Sequence, residues 1–249
     1  MTTIRAAGAA AGLRAVILAG GRGTRMGPFS LSLPKPLVPL GDTPVLEVLI
    51  RRLLGHGITD ITLTLGHLAE LITAYFTHRR ELAGRATLRY VQEETPTGTA
   101  GSLALVPGLD RTFLALNGDV LTNLDFHALV QFHRDQDALL TIATHRRQVK
   151  IDFGLLELDA SHTVKNYVEK PERSHHVSMG VYVYEPAVLR YIEPGRYLDF
   201  PDLVLRLLAD GDRVCAYVTD CLWLDIGRPD DYARARDLFA ERKDDFESA

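Results

Sequence analysis

Two patterns of apolar positions take turns along the first 150 residues of the chain. One pattern consists of short apolar runs typical of β-strands, at 13–18, 61–65, 87–91, 112–116 and 139–144. The other consists of apolar residues at helical spacing, at 46–54, 68–76 and 126–134. Strands that alternate with helices predict an α/β fold, with a Rossmann-like, mostly parallel central sheet and helices on both faces.

The pattern changes after Lys150. Strands at 153–158 and 164–169 are joined by the turn-forming stretch Asp159–His162, as in a hairpin. The remaining elements are predicted as strands at 179–184, 214–218 and 222–225 and helices at 186–192, 200–209 and 229–239. The second half is therefore predicted to be more antiparallel. We expect it to lie over the carboxyl ends of the first-half strands, where open α/β sheets bind ligands.

Two of the predicted helices carry recognisable start signals. Thr43 and Pro44 offer an N-cap and a first-turn proline to the helix over 46–54, and Gly55 or Gly57 ends that helix. Asp199 is placed to cap the helix over 200–209.

Composition and charge narrow the possible classes of protein. The 249 residues are 46% hydrophobic, which is enough for a sizeable core. We interpret residues 1–12 as a flexible tail and 13–240 as one domain, with halves at about 13–150 and 151–240. The net charge is −4 and no basic block exceeds three residues, so nucleic acid is not an expected partner.

The lengths of the apolar runs and the number of cysteines indicate the cellular compartment. The apolar runs are far shorter than a membrane span, and no signal-peptide core follows the N-terminus. The two cysteines, Cys215 and Cys221, suggest neither a disulfide framework nor a thiolate metal site. We therefore expect a reduced, cytoplasmic setting and no membrane partner. A homo-oligomer is left open.

A glycine-rich loop follows the first predicted strand. It reads Ala19-Gly20-Gly21-Arg22-Gly23-Thr24-Arg25, and it can bring backbone N–H groups close to phosphates. It lacks the Gly-Lys-Ser/Thr ending of a P-loop and the spacing of the dinucleotide-binding motif. A tight surface turn is the plain alternative. Lys35, held between Pro34 and Pro36, favours the phosphate interpretation because the two prolines fix the backbone on either side of a positive charge.

The ordered motifs of this chain closely resemble those of the sugar-1-phosphate nucleotidyltransferases, which make nucleotide sugars, over roughly residues 13–240. They read Gly20-Gly21-x-Gly23-Thr24-Arg25, Pro34-Lys35-Pro36-Leu37, Thr97-Gly98-Thr99-Ala100-Gly101, Asn117-Gly118-Asp119, Glu169-Lys170-Pro171 and Trp223-Leu224-Asp225-Ile226-Gly227. The resemblance implies a nucleotidyltransferase catalytic domain with a nucleotide-binding first half and a sugar-phosphate-binding second half.

The reaction implied joins a sugar-1-phosphate to a nucleoside triphosphate and releases pyrophosphate. The sugar phosphate is already an anion, so positioning and electrostatic stabilisation carry the catalysis. Asp119 and Asp225 are the predicted ligands of Mg²⁺, which prefers hard oxygen donors. The structural alternatives are a helix cap for Asp119 and an arginine partner for Asp225.

The nucleotide is assigned to the first half of the chain. Arg25 and Lys35 are expected to grip phosphates, with solvated surface charge as the alternative. The nucleotide-binding residues implied are Ala19, Gly20, Gly21, Gly23, Thr24, Arg25, Glu94, Gly98, Thr99 and Asn117. Acceptors on Glu93 or Glu94 could read the donor edge of guanine.

The sugar phosphate is assigned to the second half. Lys170 is expected to bind its phosphate and Glu169 its hydroxyls, with Gly154 donating from the backbone and Gly180 allowing close approach of the sugar ring. An exposed ion pair is the alternative for Glu169 and Lys170. Trp223 and Tyr182 are expected to pack in the core or the wall of the pocket.

The motifs look most like those of the mannose-1-phosphate and heptose-1-phosphate guanylyltransferases, so GTP is the first choice. The nucleotides dTTP, UTP, CTP and ATP stay open, as do a cytidylyltransferase acting on a phospho-alcohol and a catalytically silent nucleotide-sugar-binding subunit. The chain departs from the family pattern in two places. Gly27 replaces a usual arginine, and Ser178-Met179 replaces a segment that often carries asparagine before Gly180.

Overall fold

The computed structural model describes residues 9–10, 12–21, 23 and 32–247. Most of the expected tail, residues 1–8 and 11, lies outside the described residues. Ala10 is fully buried, and its N–H donates to Nδ1 of His127 at 3.0 Å. Whether 1–12 is a tail and 13–240 one domain stays a prediction.

The strands of the described residues are, in chain order, β1 Arg14–Ala19, β2 Pro39–Leu40, β3 Thr43–Pro44, β4 Asp60–Leu65, β5 Thr87–Gln92, β6 Phe113–Asn117, β7 Val120–Thr122, β8 Leu140–Lys150, β9 Leu155–Leu158, β10 Val164–Val168, β11 Glu172–Tyr184, β12 Val214–Thr219 and β13 Trp223–Asp225. Seven of them form the central sheet in the spatial order β12, β8, β11, β6, β1, β4, β5. Within it, β11 is antiparallel to both its neighbours, and the other pairs are parallel. The mostly parallel sheet is thereby confirmed.

The helices of the described residues are α1 Val45–Gly55, α2 Ala69–Thr77, α3 Arg80–Ala83, α4 Gly98–Gly101, α5 Phe126–Asp135, α6 Phe200–Ala209, α7 Pro229–Glu241 and α8 Lys243–Glu247. Short 3₁₀ turns cover Lys35–Leu37, Ser102–Leu105 and Pro186–Tyr191. None of these helices combines the length and the apolar character needed to cross a bilayer.

Strand β1 shows why helices cover both faces of the sheet. Successive side chains of a strand point to opposite faces. Ala15 and Ile17 pack in one buried cluster with apolar residues of α1, α2 and α5, whereas Val16 packs in a second cluster with Leu203 and Leu207 of α6. The predicted α/β class, with helices on both faces, is confirmed.

The second half adds the antiparallel pairs expected of it. Strands β9 and β10 pair as an antiparallel hairpin, and their side chains are largely exposed. Strands β8 and β11 run much further than the predicted 139–144 and 179–184, because they pair with each other as far as Lys150 and Glu172. Strand β13 pairs with β7, and this pairing places Trp223–Asp225 next to the carboxyl end of β6.

Of the two helix-start predictions, the one for Thr43 is wrong and the one for Asp199 is confirmed in position. Thr43 lies in β3, where it pairs with Leu40 of β2, so its side chain does not cap α1 and Pro44 occupies the cap position. Asp199 does occupy the cap position of α6, but its carboxylate accepts hydrogen bonds from Thr99 and Tyr197 instead of from the helix. At Asp199, contacts outside the helix thus occupy the group that would cap it.

Candidate functional site

The carboxyl ends of the parallel strands open into a cavity of about 410 Å³. Many of the sequence-predicted residues line it: Ala19, Gly20, Gly21, Gly23, Lys35, Gly98, Thr99, Asn117 and Asp119. Thr24 and Arg25 lie outside the described residues, as do Arg22 and Gly27. The structure therefore brings the strand-end loop, the predicted base loop and the first aspartate to one place, at the edge of the sheet that was expected to bind ligand.

Close packing at the end of β1 requires small residues. A Cβ on Gly20 would lie 2.6 Å from Oε1 of Glu93, and a Cβ on Gly66 would lie 2.5 Å from the carbonyl oxygen of Gly20. Real Cβ atoms do not approach other atoms so closely, so a larger residue at Gly66 would displace the loop backbone and one at Gly20 would push aside the Glu93 carboxylate. The absence of side chains leaves backbone facing the cavity beside Lys35.

Lys35 and two aspartates form the charged centre of the site. The Nζ of Lys35 forms an ion pair with Oδ2 of Asp119 and lies 3.9 Å from Oδ1 of Asp225. The Lys35 side chain is only 11% exposed, which strengthens its interaction with the carboxylates. The turn Lys35–Leu37, begun by Pro34, presents this ammonium to the cavity.

Backbone pairing brings the two aspartates together from opposite halves of the chain. Asp225 in β13 pairs with Val120 in β7, the residue directly after Asp119. The N–H of Ile226 also donates to the carbonyl oxygen of Asp119 at 3.1 Å. Asp119 lies between β6 and β7 and pairs with Lys35, so it does not act as the helix cap named as its alternative.

The donor set of this centre fits Mg²⁺. Oδ1 of Asp119 is buried and has no hydrogen-bond partner in the described part of the chain, so it is an acceptor that a cation would satisfy. Among the same residues, no group of three or more His, Cys, Asp or Glu side chains could hold a metal. Mg²⁺ commonly uses one or two carboxylates and completes its shell with substrate phosphates and water.

The predicted base loop is held by a segment that sequence reasoning did not assign to the site. Leu198 accepts from the N–H groups of Ala100 and Gly101 and donates to the carbonyl oxygen of Thr97, all within 3.0 Å. Oδ1 of Asp199 accepts from the N–H of Thr99 at 3.2 Å. Tyr197 and Asp199 both line the cavity, and the hydroxyl of Tyr197 donates to Oδ2 of Asp199 at 2.6 Å.

Glu93, and not Glu94, faces the cavity. Glu93 directly follows β5, which ends at Gln92, and it lines the cavity, whereas Glu94 is exposed and does not line it. Oε2 of Glu93 accepts from the N–H and the hydroxyl of Thr97, at 2.9 and 2.8 Å. These two bonds fix the carboxylate and leave Oε1 directed at Gly20.

The predicted sugar-phosphate residues do not meet in the cavity. Glu169 and Lys170 follow β10, both are more than half exposed, and Nζ of Lys170 lies 4.0 Å from Oε1 of Glu169. The exposed ion pair named as the alternative is therefore what these two residues form here. Gly154 packs against the ring of Tyr167, whose hydroxyl donates to Oε2 of Glu169 at 2.7 Å.

Gly180 approaches Asn117 closely. Its φ is +72°, and a Cβ on it would lie 2.6 Å from Nδ2 of Asn117, a cavity-lining residue. It lies within a register shift of β11 between Ser178 and Tyr182, which adds residues to β11 relative to β8. Gly180 thus makes room for an asparagine of the site.

Trp223 and Tyr182 pack where the sequence led us to expect. The indole N–H of Trp223 donates to the carbonyl oxygen of Met179 at 2.9 Å, beside the register shift of β11. Tyr182 is 5% exposed, and its burial, with smaller contributions from the charges of Asp119 and Asp225, raises its pKa to about 12. Its hydroxyl therefore stays neutral at any physiological pH.

Comparison with known protein families agrees with this geometry. The family described as "Nucleotidyl transferase" matches residues 14–242. A mannose-1-phosphate guanylyltransferase of Mycobacterium tuberculosis is 36% identical over 226 residues, covering 88% of this chain and 62% of that protein. A UTP–glucose-1-phosphate uridylyltransferase of Synechocystis sp. is 32% identical over 241 residues, covering 90% of this chain and 62% of that protein. The chain thus spans about 62% of the length of these curated relatives.

Solved structures show the same fold. HddC from Yersinia pseudotuberculosis superposes with a TM-score of 0.71 and 26% identity, covering 91% of this chain and 99% of that one. A structure of HddC complexed with GMP-PN gives a TM-score of 0.69 at the same identity and coverage. With a family match over almost all of its length, the chain belongs to the nucleotidyl transferase family.

Proposed function

We propose that this protein transfers a nucleotidyl group from a nucleoside triphosphate to a sugar-1-phosphate, giving a nucleotide sugar and pyrophosphate. The observation that carries the proposal is the ion-paired Lys35, set between Asp119 and Asp225 and facing a cavity lined by a glycine-rich strand end. A catalytically silent subunit has no need of this cluster. The cavity, at about 410 Å³, is also within the usual size range of small-ligand sites.

Catalysis of this transfer depends mainly on how the site controls the charges of the reactants. A phosphate oxygen of the sugar phosphate attacks the α-phosphorus, the bond from that phosphorus to the bridging oxygen breaks, and pyrophosphate leaves. Both reactants are anions, so the residues must reduce their repulsion and stabilise charge on the leaving group. Lys35 supplies a compact positive charge that is largely shielded from water.

Asp119 and Asp225 would hold Mg²⁺, with Oδ1 of Asp119 as the acceptor that has no partner among the described residues. When bound, the ion neutralises phosphate charge and orients the triphosphate. Lys35 lies close to both carboxylates, so its positive charge reduces the repulsion between them before substrate arrives. Lys170 and Glu169, with Gly154, remain our proposed contacts to the sugar phosphate.

GTP is the proposed nucleotide. Guanine offers two neighbouring N–H donors, and Glu93 presents a carboxylate oxygen in the cavity wall next to Gly20. A mannose-1-phosphate guanylyltransferase among the relatives and a structural neighbour complexed with GMP-PN support this choice. The uridylyltransferase relative supports UTP as the second candidate, since uracil also carries one ring N–H.

The test is a panel of the five triphosphates GTP, dTTP, UTP, CTP and ATP against mannose-, heptose- and glucose-1-phosphate, read as pyrophosphate release with Mg²⁺ present. We expect release only when both substrates are present, and a preference for GTP of roughly tenfold or more, because adenine and cytosine offer Glu93 no ring N–H and uracil and thymine offer it only one N–H donor. A clear preference for UTP or dTTP would reject GTP and keep the reaction class. Release from no pair would reject the reaction class.

A further inference from the structure

A buried threonine forms part of the cavity floor. Thr64 lies in β4, is 0% exposed, and lines the cavity. Its Oγ1 has no hydrogen-bond partner among the residues that the structure describes. In the parallel register Thr64 pairs with Leu18 on one side and Val91 on the other, and the residues two positions further along those chains are Gly20 and Glu93. Thr64 therefore shares a face of the sheet with both.

An unpaired buried hydroxyl costs free energy, since burial removes its bonds to water. A valine of the same shape would fill the position without that cost. Thr62, two residues earlier, offers a comparison: it is 1% exposed and its Oγ1 is also unpaired in the described part of the chain, but it does not line the cavity. What distinguishes Thr64 is its place in the cavity wall, where a bound ligand would pack against it.

Glu93 alone cannot satisfy all the hydrogen-bonding groups on the edge of guanine. Its Oε2 is occupied by the N–H and hydroxyl of Thr97, so only Oε1 is directed toward Gly20. The Watson–Crick edge of guanine presents two donors and one acceptor, which is more than one carboxylate oxygen can satisfy. A hydroxyl both donates and accepts, so Thr64 suits either kind of remaining group.

We propose that the Thr64 hydroxyl hydrogen-bonds the nucleobase of the bound triphosphate, alongside Oε1 of Glu93, and that it contributes to the choice of base. This inference rests on the proposed function. The contact would be made equally in the ground state and the transition state, because the base does not react. Its loss should therefore raise KM and leave kcat nearly unchanged.

The experiment compares Thr64→Val with Thr64→Ser, and uses Thr62→Val as the matched control. GTP binding is measured by calorimetry in the absence of Mg²⁺ and sugar phosphate, so that no turnover occurs, and KM and kcat are measured in the full reaction. We expect Thr64→Val to raise the Kd and KM for GTP about fivefold or more. Thr64→Ser should stay within about twofold of the parent, and Thr62→Val should match it.

Thermal unfolding provides a second readout. Both valine variants should be as stable as the parent or more stable, because each loses a buried unpaired hydroxyl. Equal Kd values in Thr64→Val and Thr62→Val would overturn the Thr64 inference while the parent enzyme still released pyrophosphate. A parent protein that bound no triphosphate would overturn the proposed function and this inference together.

Discussion

The charges of Lys35, Asp119 and Asp225 determine what the site can do. Asp119 is the more buried of the two carboxylates, with its side chain 20% exposed against 50% for Asp225. Electrostatic interactions weaken with exposure to water, so the two aspartates should differ in their contributions. Asp119 also carries both the ion pair to Lys35 and the buried Oδ1 that has no partner within the described residues.

Replacing either aspartate by asparagine should reduce turnover by about 100-fold or more with the fold intact. Asp119→Asn should cause the larger loss because its carboxylate is the more buried. Pyrophosphate release across a Mg²⁺ titration measures the effect, and circular dichroism checks the fold. Asp220→Asn, an exposed neighbour, is the control. Near-parental rates in both site variants would reject the Mg²⁺ assignment.

The close approach of Gly180 to Asn117 can be tested by a single substitution. Gly180→Ala adds a Cβ 2.6 Å from Nδ2 of Asn117 at a backbone φ of +72°. Gly211→Ala is the matched control, because its φ is +77° and nothing lies within 4 Å of its added Cβ. Backbone strain alone should cost about 1 kcal/mol in the control, and Gly180→Ala should cost about 1–3 kcal/mol more, measured by urea unfolding. Equal losses would show that Asn117 is not crowded.

At the scale of elements, the base loop depends on a partner about 100 residues away. The turn α4 and the segment ahead of α6 exchange hydrogen bonds through Thr97, Leu198 and Asp199. Periodicity predicts helices and strands because it reflects local burial, and most elements were located in this way. It contains no information about which loop packs on which. Tyr197 and Asp199 were therefore missed as parts of the site.

Asp199→Ala should weaken triphosphate binding by loosening this loop. We expect KM for GTP to rise about three- to tenfold with a smaller change in kcat, because the hydrogen bonds from Thr99 and Tyr197 to this carboxylate are lost at a proposed binding element. Steady-state kinetics measures it. Asp202→Ala, exposed in the first turn of α6, is the control for charge and helix position. If both variants changed KM equally, the loop would not be the cause.

Other features of the site divide between those that strand geometry can predict and those that it cannot. Alternation along β5 is enough to choose Glu93 over Glu94, once Val91 is recognised as a core residue. The pairing of Thr43 with Leu40 could not be anticipated, because the Thr-Pro pair is equally suited to begin a helix. The exposure of Glu169 and Lys170 follows from their place after the exposed hairpin of β9 and β10, which no local pattern determines.

At the scale of the whole molecule, many of the residues proposed to bind the nucleotide line one cavity, and Glu169 and Lys170, proposed to bind the sugar phosphate, stand apart from it. The cavity is lined by both halves of the chain, through Lys35 and Asp119 from the first and Tyr197, Asp199 and Gly227 from the second. Glu169 and Lys170 follow the exposed hairpin of β9 and β10. Substitutions in the two places should therefore affect different substrates.

Lys170→Ala should raise the KM for the sugar-1-phosphate about tenfold and leave the KM for GTP nearly unchanged, since it removes a charge-assisted contact to one substrate. Initial rates with each substrate varied in turn measure both constants. Lys165→Ala is the control on the same hairpin, where Nζ lies 3.0 Å from Oδ2 of Asp159. A change confined to the KM for GTP would contradict this assignment and indicate that Lys170 contacts the nucleotide instead.

The most direct test of nucleotidyl transfer follows the phosphorus atoms of GTP. The protein is incubated with Mg²⁺ and either α-³²P- or γ-³²P-labelled GTP, with mannose-, heptose- and glucose-1-phosphate offered in turn. Attack at the α-phosphorus predicts that the α-label enters a nucleotide sugar and that the γ-label appears only in pyrophosphate. A γ-label found in a sugar product, or an α-label recovered only as GMP, would contradict the account.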